Sequence, residues 1–273
     1  MKRILFVATG EKFPQGAFNF LRRLIEEEPV CLTGLFFCPL DYELIASASY
    51  VPIADPFLKV REREREQVNK NKELFASKCQ ALHIKQHTHE NDERWDKTLF
   101  AKESRFSDLV VLSGELFCED GGTKQPNMFL QEALHTSECP VMVVPEEYKP
   151  VQNLIIAYDG SKDSLYSIKQ FCYLFPQYTD LPTEIVFVRD EPSEEIPDLE
   201  NLKQFTRLHF SSMGFSKLHF RAANYFATWI GEKTSVMLIT GSFGRNAFSY
   251  MTKRSFAEQI IADHGMPVFI AHT

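Results

Sequence analysis

The chain is short of residues that break or staple a backbone, and it has no long apolar run. Its 273 residues include only 12 glycines and 14 prolines, which excludes collagen-like and low-complexity chains. No apolar stretch approaches the ~20 residues of a membrane-spanning helix. The run Ile4–Ala8 behind Lys2 and Arg3 is too short for the core of a signal peptide. The six cysteines, Cys31, Cys38, Cys79, Cys118, Cys139 and Cys172, form no C-x-x-C pair and no zinc-like spacing with histidine. Reduced thiols in a cytoplasmic protein, with no membrane partner and no protein-bound metal, are therefore expected. Positive charge is also in deficit: 30 Lys and Arg against 37 Asp and Glu leave a net charge of −7. Such a field disfavours a nucleic-acid partner. G-x-S-x-G, G-x-G-x-x-G and Walker A signatures are all absent.

What is present is a pattern of short apolar strands alternating with helices, met twice. Ile4–Ala8 is followed by Thr9-Gly10, then by a helical stripe of Phe18, Leu21, Leu24 and Ile25. An apolar run over Val30–Cys38 and a long charged helix over 59–82 follow. Next come a strand at 84–88, a helix near 92–104, the strand Leu109–Leu112, a helix near 127–136 and the strand Val141–Val144. The second half restarts with Asn153–Gly160, placing Asp159 where the first half has Thr9. It continues with a helix near 162–175, the strand Glu184–Val188, a helix near 197–213, a strand at 217–221, a helix at 224–232 and the strand Val236–Ile239. Cys139-Pro140-Val141-Met142-Val143 matches Met266-Pro267-Val268-Phe269-Ile270. Two copies indicate an internal duplication rather than a solenoid. The expected architecture is α/β: two tandem Rossmann-like open parallel five-stranded sheets with helices on both faces. The domains would be 1–146 and 151–273, divided at the charged, proline-bounded segment Pro145–Pro150.

One loop carries chemistry. The strand Val236–Ile239 runs into Thr240-Gly241-Ser242-Phe243-Gly244-Arg245, and Ser255-Phe256-Ala257-Glu258 then fits a helix-opening capping box. A glycine turn at the carboxyl end of a parallel strand, followed by a helix N-terminus, suits an anion. Arg245, Lys253 and Arg254 add cations in an otherwise acidic chain. On spacing alone, a tight turn closed by an ordinary serine N-cap is the better reading. Two features favour a nucleotide. Asp159 also ends a strand, where its carboxylate can accept from ribose hydroxyls, and the first half has Thr9 and Ser113-Gly114-Glu115 at the matching places.

Along nearly its whole length, as two tandem copies, the chain resembles the universal stress protein family. The most specific portion is Gly241-Ser242-Phe243-Gly244-Arg245…Ser255…Pro267-Val268-Phe269-Ile270, opened by Ala157-Tyr158-Asp159-Gly160-Ser161. The resemblance implies ATP or another adenine nucleotide in the second domain. Asp159 would lie at the adenosine end and Val188 at the base, with Gly241, Ser242, Gly244 and Ser255 on the phosphates and Arg245 and Arg254 beside them. Magnesium would enter only as the nucleotide's counter-ion. The family motif places a third glycine where this chain has Arg254. That side chain either fills the phosphate space or folds its guanidinium onto the phosphates, and the otherwise intact site favours the second. The first domain carries no such motif and reads as a degenerate copy.

No residue near the loop stands out as a general base, so any hydrolysis would be slow. A scaffold that binds partners but no nucleotide is the alternative, and an adenylating α/β hydrolase a more distant one. His87 and His89 share a strand face but have no third ligand at a telling spacing, so surface histidines are the better reading. The acidic stretch from Asp190 to Glu200 reads as a solvated loop and helix start. Pairing of 141–144 with 267–270 inside one chain would make an intrachain pseudo-dimer, and homodimerisation through exposed edges stays open.

Overall fold

The structure is a computed structural model. It describes residues 1–9, 12–38, 55–89, 95–114, 119–120, 123–124, 128–189, 195–219, 229–230, 233–241, 261 and 265–273. The first half contains β1 (Lys2–Thr9), α1 (Gln15–Glu27), β2 (Val30–Phe37), α2 (Asp55–Ala81), β3 (Lys85–Thr88), α3 (Lys97–Arg105) and β4 (Leu109–Ser113). A two-residue ladder of β5 (Glu119–Asp120) and β6 (Thr123–Lys124), α4 (Met128–Thr136) and β7 (Val141–Val144) complete it. The second half has β8 (Asn153–Ala157), α5 (Lys162–Leu174), β9 (Thr183–Arg189), α6 (Leu199–Arg207), β10 (Met213–His219), β11 (Val236–Thr240) and β12 (Val268–Ile270).

The expectation of two separate five-stranded sheets is corrected. The strands form one ten-stranded sheet in the order β10-β9-β8-β11-β12-β7-β4-β1-β2-β3. The join is the antiparallel pair β7·β12, with Met142 opposite Phe269 and Val143 opposite Val268. The other described pairings in this sheet are parallel. The physical reason lies in the two last strands. Each is apolar on both faces, and each would otherwise present a row of unpaired backbone groups. Pairing them removes both edges at once.

Two core layers sandwich the sheet. Alternate residues of β1 separate cleanly: Ile4, Phe6 and Ala8 face one layer with α1, α2, α5 and α6, while Leu5 and Val7 face the other with α3 and α4. Both layers take residues from both halves, so the apolar interior is continuous across the β7·β12 join. Among the described residues no helix is long and apolar enough to cross a membrane.

Two boundaries shift. The helix expected over 197–213 ends at Arg207, and the strand expected at 217–221 begins at Met213. Phe210 and Met213 continue an apolar stripe past the helix. Phe210 is nonetheless buried in the turn, while Met213 pairs with Thr183 of β9. The helices expected near 224–232 and from Ser255 lie almost wholly outside the described residues.

Candidate functional site

Strand β8 lies between β9 and β11. The chain leaves β8 through α5 to reach β9 on one side, then returns after β10 to β11 on the other. That reversal opens a crevice at the carboxyl ends of β8 and β11, the place where open α/β sheets hold ligands. Ala157 is opposite Thr240, so the turn Tyr158–Ser161 and Gly241 leave the sheet at the same level.

The turn is built from its own side chains. Asp159 Oδ1 accepts from the Ser161 N–H at 2.9 Å, and Ser161 Oγ accepts from the Ser164 N–H at 3.1 Å as the N-cap of α5. Gly160 has φ +82°, a conformation that glycine adopts without strain. A Cβ there would stand 2.7 Å from the Pro197 ring. Tyr158 donates from its hydroxyl to the Pro197 carbonyl at 3.2 Å. Burial, helped by the Asp198 and Asp159 carboxylates, holds the Tyr158 phenol above its ordinary pKa, which keeps it a donor. The residues before α6 thus strap onto the Asp159 turn.

Gly241 is buried, and a Cβ on it would come 2.2 Å from the Asp163 carbonyl carbon and the Ser164 nitrogen. Its bare backbone lets the end of β11 abut the first turn of α5. Asp163 in that turn also accepts from the N–H and the hydroxyl of Thr273, at 3.0 and 2.9 Å. Val188 sits near the carboxyl end of β9, opposite Leu218 of β10. The structure therefore gathers Asp159, Gly241 and the backbone of Val188 along one sheet edge. Ser242, Gly244, Arg245, Arg254 and Ser255 lie outside the described residues.

The matching position in the first half is built differently. Thr9 is only 1% exposed, and its carbonyl accepts from Asn71 Nδ2 of α2 at 3.3 Å. Below it, Phe75 of α2 stacks on Phe6 at 5.3 Å. Phe75 and Phe36 crowd the place where a Cβ on Gly34 would stand, at 2.9 and 2.8 Å. The long helix α2 covers this edge with a buried stripe of Val68, Asn71, Phe75 and Cys79. Sequence reasoning missed Asn71, although its helical spacing from Phe75 and Cys79 marked it as a polar residue on a buried face.

The histidine pair makes contacts within the protein. His89 Nε2 lies 3.1 Å from Glu103 Oε1, and Arg3 holds the other carboxylate oxygen at 2.6 Å. His87 stacks edge-on against His89 at 5.5 Å.

No family model and no curated protein matches this sequence. Solved structures do match its shape. A universal stress protein from Archaeoglobus fulgidus DSM 4304 superimposes with a TM-score of 0.69 at 15% identity, over 98% of this chain and 96% of that one. A putative universal stress protein from Pseudomonas aeruginosa UCBPP-PA14 does so with a TM-score of 0.57 at 11% identity, over 100% and 93%. The fold is that of the universal stress proteins. At these identities the likeness is one of architecture, and it spans both halves of the chain. Within the universal stress protein fold, the Asp159–Gly241 edge is the switch-point crevice of the second half, and Thr9 with Asn71 covers that of the first.

Proposed function

We propose that this is a cytoplasmic stress-response protein that holds ATP or a related adenine nucleotide at the carboxyl edge of β8 and β11. The observation that carries the reading is the position of Asp159. Asp159 follows β8 at the carboxyl edge of the second half, one strand from Gly241, where the first half has a buried threonine. There Asp159 accepts from the ribose hydroxyls and Val188 meets the base. The loop Gly241-Ser242-Phe243-Gly244-Arg245 and Ser255 hold the phosphates through backbone and hydroxyl donors. Arg254 folds its guanidinium onto them, and magnesium accompanies the nucleotide as counter-ion. With no general base among these residues, turnover is slow or absent.

Calorimetric titration of ATP and ADP tests this. The native chain binds one nucleotide, and Asp159→Ala weakens binding at least ten-fold, since a charged acceptor with two hydroxyls contributes about 1.5–3 kcal/mol. No heat at millimolar nucleotide, or equal affinity in the variant, overturns the assignment. If the native protein is silent and Arg254→Gly binds, then Arg254 closes the site.

A scaffold without nucleotide is the second reading, and one observation favours it. Gly160 and Gly241 are both required by contacts within the protein, with Pro197 and with the first turn of α5. Mass spectrometry of small molecules released from purified protein separates the two. Repeated absence of a nucleotide, with no thermal shift on adding one, supports the scaffold.

A further inference from the structure

Between α5 and α6 runs a cleft of about 390 Å³, bordered at one end by Tyr158, Gly160 and Ser161 of the turn after β8. Its volume falls in the range of small-molecule sites, roughly 300–1,000 Å³. The floor is apolar, made of Leu165, Leu202 and Phe205, with Tyr158 at the sheet end. Two ammonium groups border it. Lys162 and Lys169 stand seven residues apart on α5, hence on one helix face, and both are exposed. Lys169 Nζ lies 5.9 Å from the centre of the Phe205 ring. Lys162 has no ion-pair or hydrogen-bond partner among the described residues, whereas Lys203 on α6 is taken up by Glu200 at 2.8 Å. Among the described residues, Asp198 is the one carboxylate in the lining. In a chain of net charge −7, two cations bordering an apolar floor are a local reversal of sign.

We propose that this cleft is a second ligand site, separate from the Asp159–Gly241 crevice, and that it takes a small aromatic anion. The flat apolar body lies on Leu165, Leu202 and Phe205, and the anionic group faces Lys162 and Lys169. The floor belongs to the core layer on the α5–α6 side of the sheet.

Calorimetric titration with 2-naphthoate as probe decides it, with 2-naphthylmethylammonium as the cationic control. The native chain binds one naphthoate saturably, and the cation at least ten-fold more weakly. The double variant K162A/K169A, which removes exposed side chains and leaves the melting temperature unchanged, loses at least ten-fold in naphthoate affinity. Saturating ATP leaves naphthoate affinity unchanged, so this site and the nucleotide site can fail separately. Absence of saturable binding at millimolar probe overturns the proposal, as does equal affinity in the double variant. So does one-for-one displacement by ATP, which would make the cleft an arm of the crevice.

Discussion

At the scale of single residues, space between backbones separates one glycine from another. A Cβ on Gly241 would stand 2.2 Å from the main chain of Asp163 and Ser164, so any side chain there must push β11 away from α5. A Cβ on Gly214 in β10 would have its nearest neighbours at 3.9 and 4.0 Å. Gly241→Ala is therefore expected to destabilise the protein by about 1–3 kcal/mol. Gly214→Ala should stay within about 0.5 kcal/mol of the native chain. Urea midpoints of the two variants check this, and equal midpoints would mean that the β11–α5 contact is loose. Burial also sets the behaviour of thiols. Cys79 and Cys172 are both pushed up to about 12, against about 8.5 for a thiol in an unfolded chain. Raised folded values contribute stability that is complete below about pH 8.5 and is lost as pH rises toward 12. Burial raises the Tyr178 phenol too, which extends the loss above about pH 10. The urea midpoint should fall between pH 7.5 and pH 10, and less steeply in Cys79→Ala. A flat midpoint over that span would contradict the burial.

At the scale of elements, the alternation of strand and helix was readable because its causes are local. Apolar runs bounded by Gly, Pro and charged residues mark β1, β4, β7, β8, β11 and β12 within a residue or two. The β10 boundary was not readable, since Met213 joins the sheet through pairing with Thr183 from an earlier strand. Position along the edge of β8 was equally legible for Asp159, because a carboxylate just past a strand end has only the carboxyl edge to occupy. The cleft between α5 and α6 was not, because it belongs to no one segment. Helix α2 shows the same limit from the other side. Its sequence is charged over 59–82, yet Asn71 is 2% exposed and donates to the Thr9 carbonyl. Removing that donor leaves a buried carbonyl short of a partner, so Asn71→Ala should cost about 1–3 kcal/mol in denaturant unfolding. A change within error would mean that water reaches Thr9.

At the scale of the whole molecule, the antiparallel join between β7 and β12 converts a duplication into one sheet. Each core layer runs through it: Phe6 and Phe269 belong to one, Leu5 and Ile270 to the other. A half on its own would expose either β7 or β12 as an apolar edge with unpaired backbone groups. Unfolding should therefore be a single transition rather than two. The chain has two tryptophans, and they report on opposite halves. Trp95 packs on Phe37 and Phe100 at 4.8 and 5.1 Å, while Trp229 lies under Lys233 Nζ at 4.7 Å. Trp95→Phe and Trp229→Phe each leave one reporter. Each variant's fluorescence should follow its own circular dichroism curve to the same urea midpoint, since its remaining tryptophan then senses the whole molecule. If instead the fluorescence transition of either variant separates from its circular dichroism transition, the halves unfold independently. The β7·β12 join would then be a contact between two folding units and not the spine of one.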